Sequence, residues 1–486
     1  MIDAPCGAGK TSWAIQEMRR HPERRYVYCT PFLDEITRIR TACPEHRFSE
    51  PNNYGHTKLD DFNRLLKEQR NIAVTHSTFL NATPETIELI RAGDYTIIID
   101  EALDVVEEFN HIRAVERNES QSIVADDVKK ALDGGFIEID PETKAVRWIG
   151  KEYEDGGKFS ALETLSRLNR VFFIRESTLV CIFPPEVFSA FSQVYVMTYM
   201  IEGAPIHPYF EIFKISYEKK TVVKRDGEYE LAEYTPDSDA WFRKQTAELI
   251  TLCNDDRLNR YPKYALSKSW YENNGGKAGG KELKRRIRYY FYNILHAKVS
   301  DVVGEIVDGK DLRQTGLMWT CYKDFEDIIK GSGYIMLRSM NAEELQLPQK
   351  EYEDLEKRLK CFVPCNARAT NDYRYRWALA YCVNLFYSTI IGAFFINSGV
   401  SFDESKFALA NLIQWIYRSR IRDGKPIALY LPSSRMRELY NEWVGDESGQ
   451  TAADKAKHRK AVRRTTRKKA PLYLRNKKWC VPILPF

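Results

Sequence analysis

Eight residues near the start of the chain have the types and spacing needed to hold phosphate groups: Ala4-Pro5-Cys6-Gly7-Ala8-Gly9-Lys10-Thr11. The two glycines allow the backbone to turn so that several N–H groups point at one anion. In such a loop the lysine reaches the β- and γ-phosphates, and the threonine hydroxyl binds Mg²⁺. The spacing therefore predicts a loop that holds a nucleoside triphosphate. It is followed by a predicted helix over residues 11–19, whose N-terminus faces the phosphates.

Very little chain precedes this loop. Only Met1, Ile2 and Asp3 stand before it, whereas a typical strand has about five or six residues. Two alternatives remain open from the sequence. Either the strand that anchors the loop is stunted, or the natural chain begins further upstream.

A pair of carboxylates follows the most apolar stretch of the first hundred residues. Asp100 and Glu101 end the run 95–100, which is apolar on both faces, as is typical of a strand inside a parallel sheet. Hydrolysis of a nucleotide requires acidic groups at such a position. Asp100 can hold Mg²⁺, directly or through water, and Glu101 can orient or deprotonate the attacking water.

The elements that must position these residues alternate between strand and helix. In the first half, strands are predicted at 25–30, 71–75, 95–100 and 193–197. Residues 111–190 interrupt the alternation and are predicted to form an insertion that contains a hairpin, with strands at 136–139 and 145–149. A second α/β region follows, with strands predicted at 264–266, 316–320, 359–363 and 427–431.

We therefore predict an α/β protein with two domains built on parallel sheets. A chain of 486 residues is too long for one compact core. The expected divisions are an ATP-binding domain at 1–205 with the insertion at about 111–190, a second domain at 206–445 and a basic tail at 446–486.

Composition limits the partners and the compartment. Residues 451–480 hold twelve Lys/Arg and one Asp, a net charge of +11, which leaves −6 for the rest of a chain whose total is +5. Such a tail attracts nucleic-acid backbones without sequence preference. The cysteines, including the close pair Cys361 and Cys365, have no disulfide-like or zinc-like spacing. We expect reduced thiols, a cytoplasmic location (the host cytoplasm if the chain is phage-encoded) and no membrane association.

A second chemical signal lies in residues 414–422, Gln-Trp-Ile-Tyr-Arg-Ser-Arg-Ile-Arg. A helix is predicted here, capped by Ser401 or Asp403 and stopped after residues 423–424, Asp-Gly. A guanidinium directed at a nucleotide can stabilise the charge that develops on the γ-phosphate.

The arginines of this segment differ in their expected direction. On a regular helix Gln414, Arg418 and Arg422 share one face, whereas Arg420 points away. We therefore expect Arg422 to reach the γ-phosphate, with Arg420 as the alternative. Arg418 is expected to face the adjacent phosphates.

The order of these motifs resembles superfamily 2 helicases of the DEAD/DEAH-box-like type. The matching segments of the first half are residues 4–11, residues 28–35, residues 75–78 and Asp100-Glu101-Ala102-Leu103. In the second half they are residues 366–371 and 414–422. A finer resemblance is to helicases of bacteriophages and mobile elements. The sequence departs from the family pattern at Leu103 and at Tyr417. It also departs at residues 198–200, the candidate coupling motif, where the central Ala is replaced by Tyr199.

The resemblance implies two RecA-like domains with ATP and Mg²⁺ in a cleft between them. Thr11 and Asp100 would be the Mg²⁺ ligands, and residues 5–11 would hold the nucleotide. Nucleic-acid contacts are expected, by the same resemblance, at Thr30, Pro31, Thr75, His76, Arg368 and Thr370.

The expected function is an ATP-dependent helicase or translocase that unwinds DNA or RNA, in phage or mobile-element replication or recombination. DNA is the first expected partner, RNA is possible, and a replication protein is a possible second partner. Two alternatives stay open. One is a packaging-type motor that moves along duplex DNA without unwinding it, and the other is a catalytically weak DNA-binding protein with an ATPase fold.

Overall fold

The structure is a computed structural model. It describes residues 1–109, 125–151, 159–175, 178–307, 310–336, 348–366 and 372–445. The expected basic tail at 446–486 and residues 111–124 of the predicted insertion lie outside the described residues. Within the described residues, no helix is long and apolar enough to cross a membrane.

Short strands and helices alternate along the chain. The strands are β1 Ile2–Asp3, β2 Arg25–Thr30, β3 Ile72–Thr75, β4 Tyr95–Asp100, β5 Val106–Glu108, β6 Ile137–Ile139, β7 Val146–Trp148, β8 Val171–Arg175, β9 Thr178–Ile182, β10 Gln193–Thr198, β11 Lys220–Arg225, β12 Glu228–Glu233, β13 Ile250–Leu252, β14 Val302–Val303, β15 Ile306–Val307, β16 Lys310–Asp311, β17 Gln314–Thr315, β18 Leu317–Thr320, β19 Ala378–Tyr381 and β20 Ile427–Tyr430. The α-helices are α1 Lys10–Arg20, α2 Leu33–Ala42, α3 Lys58–Lys67, α4 His76–Phe79, α5 Pro84–Gly93, α6 Ala125–Asp133, α7 Ser160–Arg167, α8 Glu186–Ala190, α9 Ile206–Ile212, α10 Ala240–Leu249, α11 Lys268–Asn274, α12 Ala278–Tyr289, α13 Glu326–Ile329, α14 Gln349–Leu359, α15 Thr389–Asn397, α16 Glu404–Ile416 and α17 Ser434–Gly445.

The chain divides into two compact units. The first comprises Met1–Tyr234 and Tyr387–Phe407, and the second comprises Thr235–Phe386 and the chain from Ala408. The sequence placed this division at 205–206. It lies further along because the hairpin β11–β12 extends the sheet of the first unit.

The first unit is built on a seven-stranded sheet in the order β12-β11-β1-β10-β4-β2-β3. All neighbouring strands are parallel except β12, which is antiparallel to β11. Every residue of β4 is buried, as expected for a strand with apolar residues on both faces. The α/β class with parallel sheets is therefore confirmed, and β2 and β4 coincide with the predicted strands.

Strand β1 is stunted, with two residues, yet it has a partner on each side. Ile2 and Asp3 align with Met197 and Thr198 of β10, and Ile2 also aligns with Lys220 of β11. Backbone hydrogen bonds continue the pairing beyond the strand. The N–H of Ala4 donates to the carbonyl of Thr198 at 3.0 Å, and the N–H of Lys220 donates to that of Met1 at 2.8 Å.

The predicted insertion contains a hairpin, as expected. Strands β6 and β7 pair antiparallel, with Ile137 opposite Trp148. The order β5-β9-β8 forms a separate three-stranded sheet. Helix α15, distant in sequence, belongs to the same unit. The Phe394 ring packs 6.2 Å from that of Phe172, and the hydroxyl of Ser388 donates to the carboxylate of Glu108.

The second unit has a four-stranded parallel sheet in the order β13-β20-β19-β18. The strands predicted at 316–320 and 427–431 are confirmed. The strand predicted at 264–266 is wrong. Residues 262–266 form a turn in which the N–H of Ala265 donates to the carbonyl of Pro262, and Leu266 has a positive φ of 65°. The segment predicted at 359–363 is not a strand. It makes two isolated bridges, a parallel one between Phe362 and Trp319 and an antiparallel one between Lys360 and Met336.

A buried arginine joins the sheet of the second unit to the end of helix α14. Arg376 is fully buried, and its guanidinium donates to the side-chain oxygen of Gln314 at 2.8 Å. It also donates to the carbonyls of Arg358 at 2.8 Å and Lys360 at 2.9 Å, and to that of Leu317. Burial lowers the pKa of Arg376 to about 10. The carbonyls at the helix end are therefore satisfied by one side chain.

We expect Arg376→Met to destabilise the second unit by about 3–5 kcal/mol, because the substitution leaves several buried carbonyls without their donor. The matched control is Arg374→Met. Arg374 is exposed and pairs with Asp423 at 3.2 Å, and such a surface pair contributes about 0–1 kcal/mol. Urea unfolding followed by circular dichroism measures both. Equal losses for the two variants would contradict the role assigned to Arg376.

Candidate nucleotide-binding site

The glycine-rich loop has the backbone conformation that the sequence predicts. Gly7 and Gly9 adopt φ values of 80° and 96°, in the region that favours glycine. Gly9 is the residue before α1, so the loop leads directly into an eleven-residue helix. The N–H groups at the start of that helix are available to an anion. Pro5 is buried, whereas Cys6 and Ala8 are partly exposed along the loop.

Gly9 also lies against an aromatic ring. A β-carbon added at this position would be 2.0 Å from Cε1 of Tyr229, which lies on β12. A β-carbon at Gly7 would meet nothing within 4 Å. Gly9 is therefore required both for its backbone conformation and for the space that the ring takes.

Lys10 lies over the beginning of the loop. Its ammonium donates to the carbonyl of Ala4 at 2.7 Å and to that of Pro5 at 3.3 Å. Thr11, the next residue of α1, is partly buried. The loop thus carries one cation and one hydroxyl at the N-terminus of a helix, the arrangement that binds a phosphate chain and its metal ion.

The sheet order brings the predicted carboxylates to the same edge as the loop. Strand β10 lies between β1 and β4, and all three are parallel, so their carboxyl ends face the same way. Asp100 ends β4 and is buried, with the Tyr28 hydroxyl donating to its carboxylate at 3.0 Å. Burial, together with the negative charge of Glu101, raises the pKa of Asp100 to about 7, and the positive charge of Lys10 opposes that shift.

Such a carboxylate suits a divalent cation. Asp100 is buried beside a second acid, and a bound cation would offset the repulsion between them. Thr11 and Asp100 are the residues that would hold Mg²⁺. Within the described part of the chain, no group of three or more His, Cys, Asp or Glu residues is arranged to hold a metal ion. Cys361 belongs to the apolar core of the second unit.

Glu101 has a strained backbone. Its φ is 65°, a conformation that costs a residue with a side chain about 1–2 kcal/mol. Its N–H donates to the carbonyl of Met197 at 2.9 Å, so strand β10 holds the turn in place. Strain that the neighbouring strand maintains is typical of residues placed for chemistry.

Asp3 links the loop to the candidate coupling segment. Its two carboxylate oxygens accept the N–H groups of Met200 at 2.9 Å and Ile201 at 3.1 Å. The ammonium of Lys219 lies 3.0 Å from the same carboxylate. Residues 198–201 are thereby fixed to the strand that precedes the phosphate-binding loop. The departure from the family pattern at Tyr199 leaves this connection intact, because it uses backbone groups.

The expected nucleic-acid residues differ in their placement. Thr30 is fully buried, and His76 is buried with its Nε2 atom 3.0 Å from the carbonyl oxygen of Asp100. Neither side chain is presented at the surface, and His76 supports the carboxylate turn. Pro31 and Thr75 are partly exposed. The remaining two predicted contacts, Arg368 and Thr370, lie outside the described residues.

The helix predicted through Arg422 ends earlier, so the prediction of a shared helical face is wrong. Helix α16 ends at Ile416, where the hydroxyl of Ser419 donates to the Ile416 carbonyl at 2.7 Å. Tyr417 turns into the core, with its hydroxyl 2.6 Å from that of Thr246. A short 3₁₀ helix, Arg420–Asp423, follows.

The side chains of this segment are placed at different depths. Gln414 is partly buried and Arg418 is buried, whereas Arg422 is exposed on the 3₁₀ helix. The guanidinium of Arg420 donates to the carbonyl of Pro426 at 2.6 Å. Asp403, one of the two expected caps, accepts the N–H of Lys406 at 2.9 Å. The segment is therefore a helix, a turn and a 3₁₀ helix, and its arginines do not follow one helical register.

Sequence reasoning missed three residues that shape this site: Asp3, Tyr28 and Tyr229. An acidic residue inside a short apolar segment, directly before the loop, was a usable signal for Asp3. No local pattern marks the two tyrosines, because each comes from a strand whose place in the sheet only the fold decides.

The chain is similar to known proteins along most of its length. The SPbeta prophage-derived uncharacterized protein YonV of Bacillus subtilis (strain 168) is 32% identical over 455 residues, which cover 92% of this chain and 98% of that protein. Residues 244–444 match the family model of the YonV C-terminal Rossmann-like domain.

Comparison of structures finds weaker similarity. A solved structure described as XPD_APO aligns with 90% of this chain and 94% of its own, at 11% identity and a TM-score of 0.47. The structure of S. tokodaii Xpd4 aligns with 90% of this chain and 92% of its own, at 12% identity and a TM-score of 0.44.

We expect Gly9→Ala to weaken nucleotide binding more than Gly7→Ala does. Both substitutions place a side chain at positive φ, which costs about 1–3 kcal/mol. Only the one at Gly9 also drives a β-carbon into the Tyr229 ring. The expected difference is about tenfold in the dissociation constant, or 1.4 kcal/mol. Fluorescence titration with a labelled ATP analogue measures it, and a larger loss for Gly7→Ala would contradict the packing described here.

Proposed function

This chain belongs to the YonV family. We propose that it is an ATP-dependent nucleic-acid motor of the helicase type. The observation that carries the proposal is the meeting of two predicted motifs at one sheet edge. The phosphate-binding loop and the Asp100-Glu101 pair lie about ninety residues apart in sequence, yet Lys10 is close enough to influence the carboxyl group of Asp100.

The residues at this edge fit hydrolysis of the γ-phosphate. Lys10 and the N–H groups of residues 7–11 would bind the phosphate chain. Thr11 and Asp100 would hold Mg²⁺, which offsets phosphate charge when it is bound. Glu101 would orient the attacking water and accept its proton. These roles depend on position and charge more than on covalent chemistry, as phosphoryl transfer requires.

The second unit is proposed to supply positive charge. Gln414, Arg418 and Arg422 keep the roles that the helicase resemblance implies, although α16 ends before the arginines. Arg422 is exposed, and Arg420 is held by the carbonyl of Pro426, so Arg422 remains the first residue to substitute. An arginine that reaches the γ-phosphate contributes a large part of the rate in such enzymes.

The nucleic acid is proposed to be DNA first and RNA second. The basic composition of residues 451–480 supports contacts to phosphate backbones without sequence preference. The similarity to a prophage-derived protein supports a role in phage or mobile-element replication or recombination. A cytoplasmic location and a replication-protein partner belong to the same proposal.

We expect ATP hydrolysis that single-stranded nucleic acid stimulates and that Lys10→Ala reduces by about 100-fold or more, since a charge-stabilising group is lost. A phosphate-release assay measures the rate with and without DNA or RNA. The matched control is Lys58→Ala, because Lys58 also begins a helix, α3, but does not follow a phosphate-binding loop. The absence of stimulated, Lys10-dependent hydrolysis would overturn the enzyme proposal.

Two substrates then separate unwinding from translocation alone. A helicase displaces one strand of a forked duplex in the presence of ATP, whereas a duplex translocase displaces the third strand of a triplex on blunt DNA. We expect displacement on the fork, tested on matched DNA and RNA forks. Triplex displacement without fork unwinding would assign the chain to the translocase class instead.

A further inference from the structure

A single aromatic side chain from the edge of the sheet reaches the phosphate-binding loop. Tyr229 lies on β12, two strands away from β1, and its ring packs against the position of Gly9. The backbone N–H of Tyr229 donates to the side-chain oxygen of Gln16 on α1 at 2.9 Å. The hairpin is thereby fastened to the helix that begins at the loop. Tyr229 is partly exposed.

The two sides of strand β1 differ in chemistry. On one side lie β10 and β4, which bring the carboxylates of Asp100 and Glu101. On the other side lie β11 and β12, which bring Tyr229. A γ-phosphate must lie on the acidic side, because its metal ion and attacking water depend on the two carboxylates. A triphosphate stretched along the loop then directs its nucleoside toward the hairpin.

A partly exposed tyrosine ring suits the nucleoside end of such a ligand. Aromatic rings stack on nucleobases through their faces, and every base offers such a face. The ammonium of Lys224 lies 5.4 Å from the centre of the Tyr229 ring, which places a cation at the same surface. Lys224 itself is exposed and available to the polar edge of a ribose or an α-phosphate.

We propose that Tyr229 is the base platform of the nucleotide site, on which the nucleobase of the bound triphosphate stacks. The inference rests on the proposed function, since it requires that the loop binds a nucleoside triphosphate. It assigns to the hairpin β11–β12 the task of recognising the nucleoside, while the loop and α1 recognise the phosphates.

A structural role for the same ring makes a different prediction. If Tyr229 only supports the conformation of the loop, its removal weakens every ligand that the loop binds. If it stacks on the base, its removal weakens nucleotides and leaves a triphosphate without a base unaffected. Inorganic tripolyphosphate with Mg²⁺ is therefore the probe that separates the two roles.

The experiment measures dissociation constants of MgATP and Mg-tripolyphosphate by calorimetry on the full chain. We expect Tyr229→Ala to weaken ATP about tenfold, as loss of one stacking contact does, and to leave tripolyphosphate within about twofold of the original protein. Tyr229→Phe keeps the ring and should retain both affinities. Tyr195→Ala is the matched control. Tyr195 lies on β10, and its ring packs on that of Trp13 on α1, with 5.1 Å between the ring centroids. Its substitution should leave the ratio of the two affinities unchanged.

Three results would overturn the inference. Equal weakening of both ligands by Tyr229→Ala would show that the ring only supports the loop. If Tyr229→Ala left the binding of both ligands unchanged, the ring would not contact the base. If the original protein bound MgATP and Mg-tripolyphosphate with equal affinity, the base would contribute nothing to binding, and the inference would fail as well. If the original protein bound neither ligand, the proposed function would fail together with the inference, and this outcome is distinct from the other three because the tripolyphosphate signal is also lost.

Discussion

The placement of the glycine-rich loop depends on one buried carboxylate, that of Asp3. Strand β1 has only two residues, so its own backbone pairing is short and further contacts are needed to fix the loop that follows it. Asp3 compensates by accepting two backbone N–H groups after β10 and by pairing with Lys219. Burial raises the pKa of Asp3, and the charge of Lys219 opposes that shift. The carboxylate of Asp3 is therefore held by partners that lie about two hundred residues later in the chain.

The same ion-pair network extends to Tyr387–Phe407, the segment from the second half of the sequence that belongs to the first unit. Lys219 also pairs with Glu202, and Glu202 lies 3.3 Å from Lys406. Burial alone would raise the pKa of Glu202, yet its hydrogen bond with Lys219 lowers that pKa to about 2. The carboxylate is thus ionised whenever the protein is folded near neutral pH. A buried charged group is tolerated when ion pairs or hydrogen bonds replace its contacts with water. The guanidinium of Arg376 in the second unit is likewise buried and donates to several oxygen acceptors.

Particular elements show how far sequence patterns reach. Strands β2 and β4 were predicted to the residue, because each carries apolar or aromatic residues on both faces, as a strand covered on both sides requires. The strand predicted at 264–266 failed, because Asn384 binds the carbonyls of Lys263 and Ala265 and fixes a turn. The helix predicted through Arg422 failed because Tyr417 packs on Phe242 at 4.7 Å and leaves the helical path. In both cases the residue that changes the local structure, Asn384 or Phe242, is distant in sequence from the segment that it contacts.

The sequence by itself determined the parallel α/β class and the basic composition of the last residues, and it indicated a candidate phosphate-binding loop and a candidate carboxylate pair. Each depends on residues that are neighbours along the chain, so their spacing carries the information. The tertiary structure alone decided the order of the strands, and with it which side of the loop faces the acids and which faces Tyr229. Strand order depends on contacts between segments hundreds of residues apart, and no local pattern records them. The partners of Asp3 are likewise decided by the fold, because they follow β10 and precede β11.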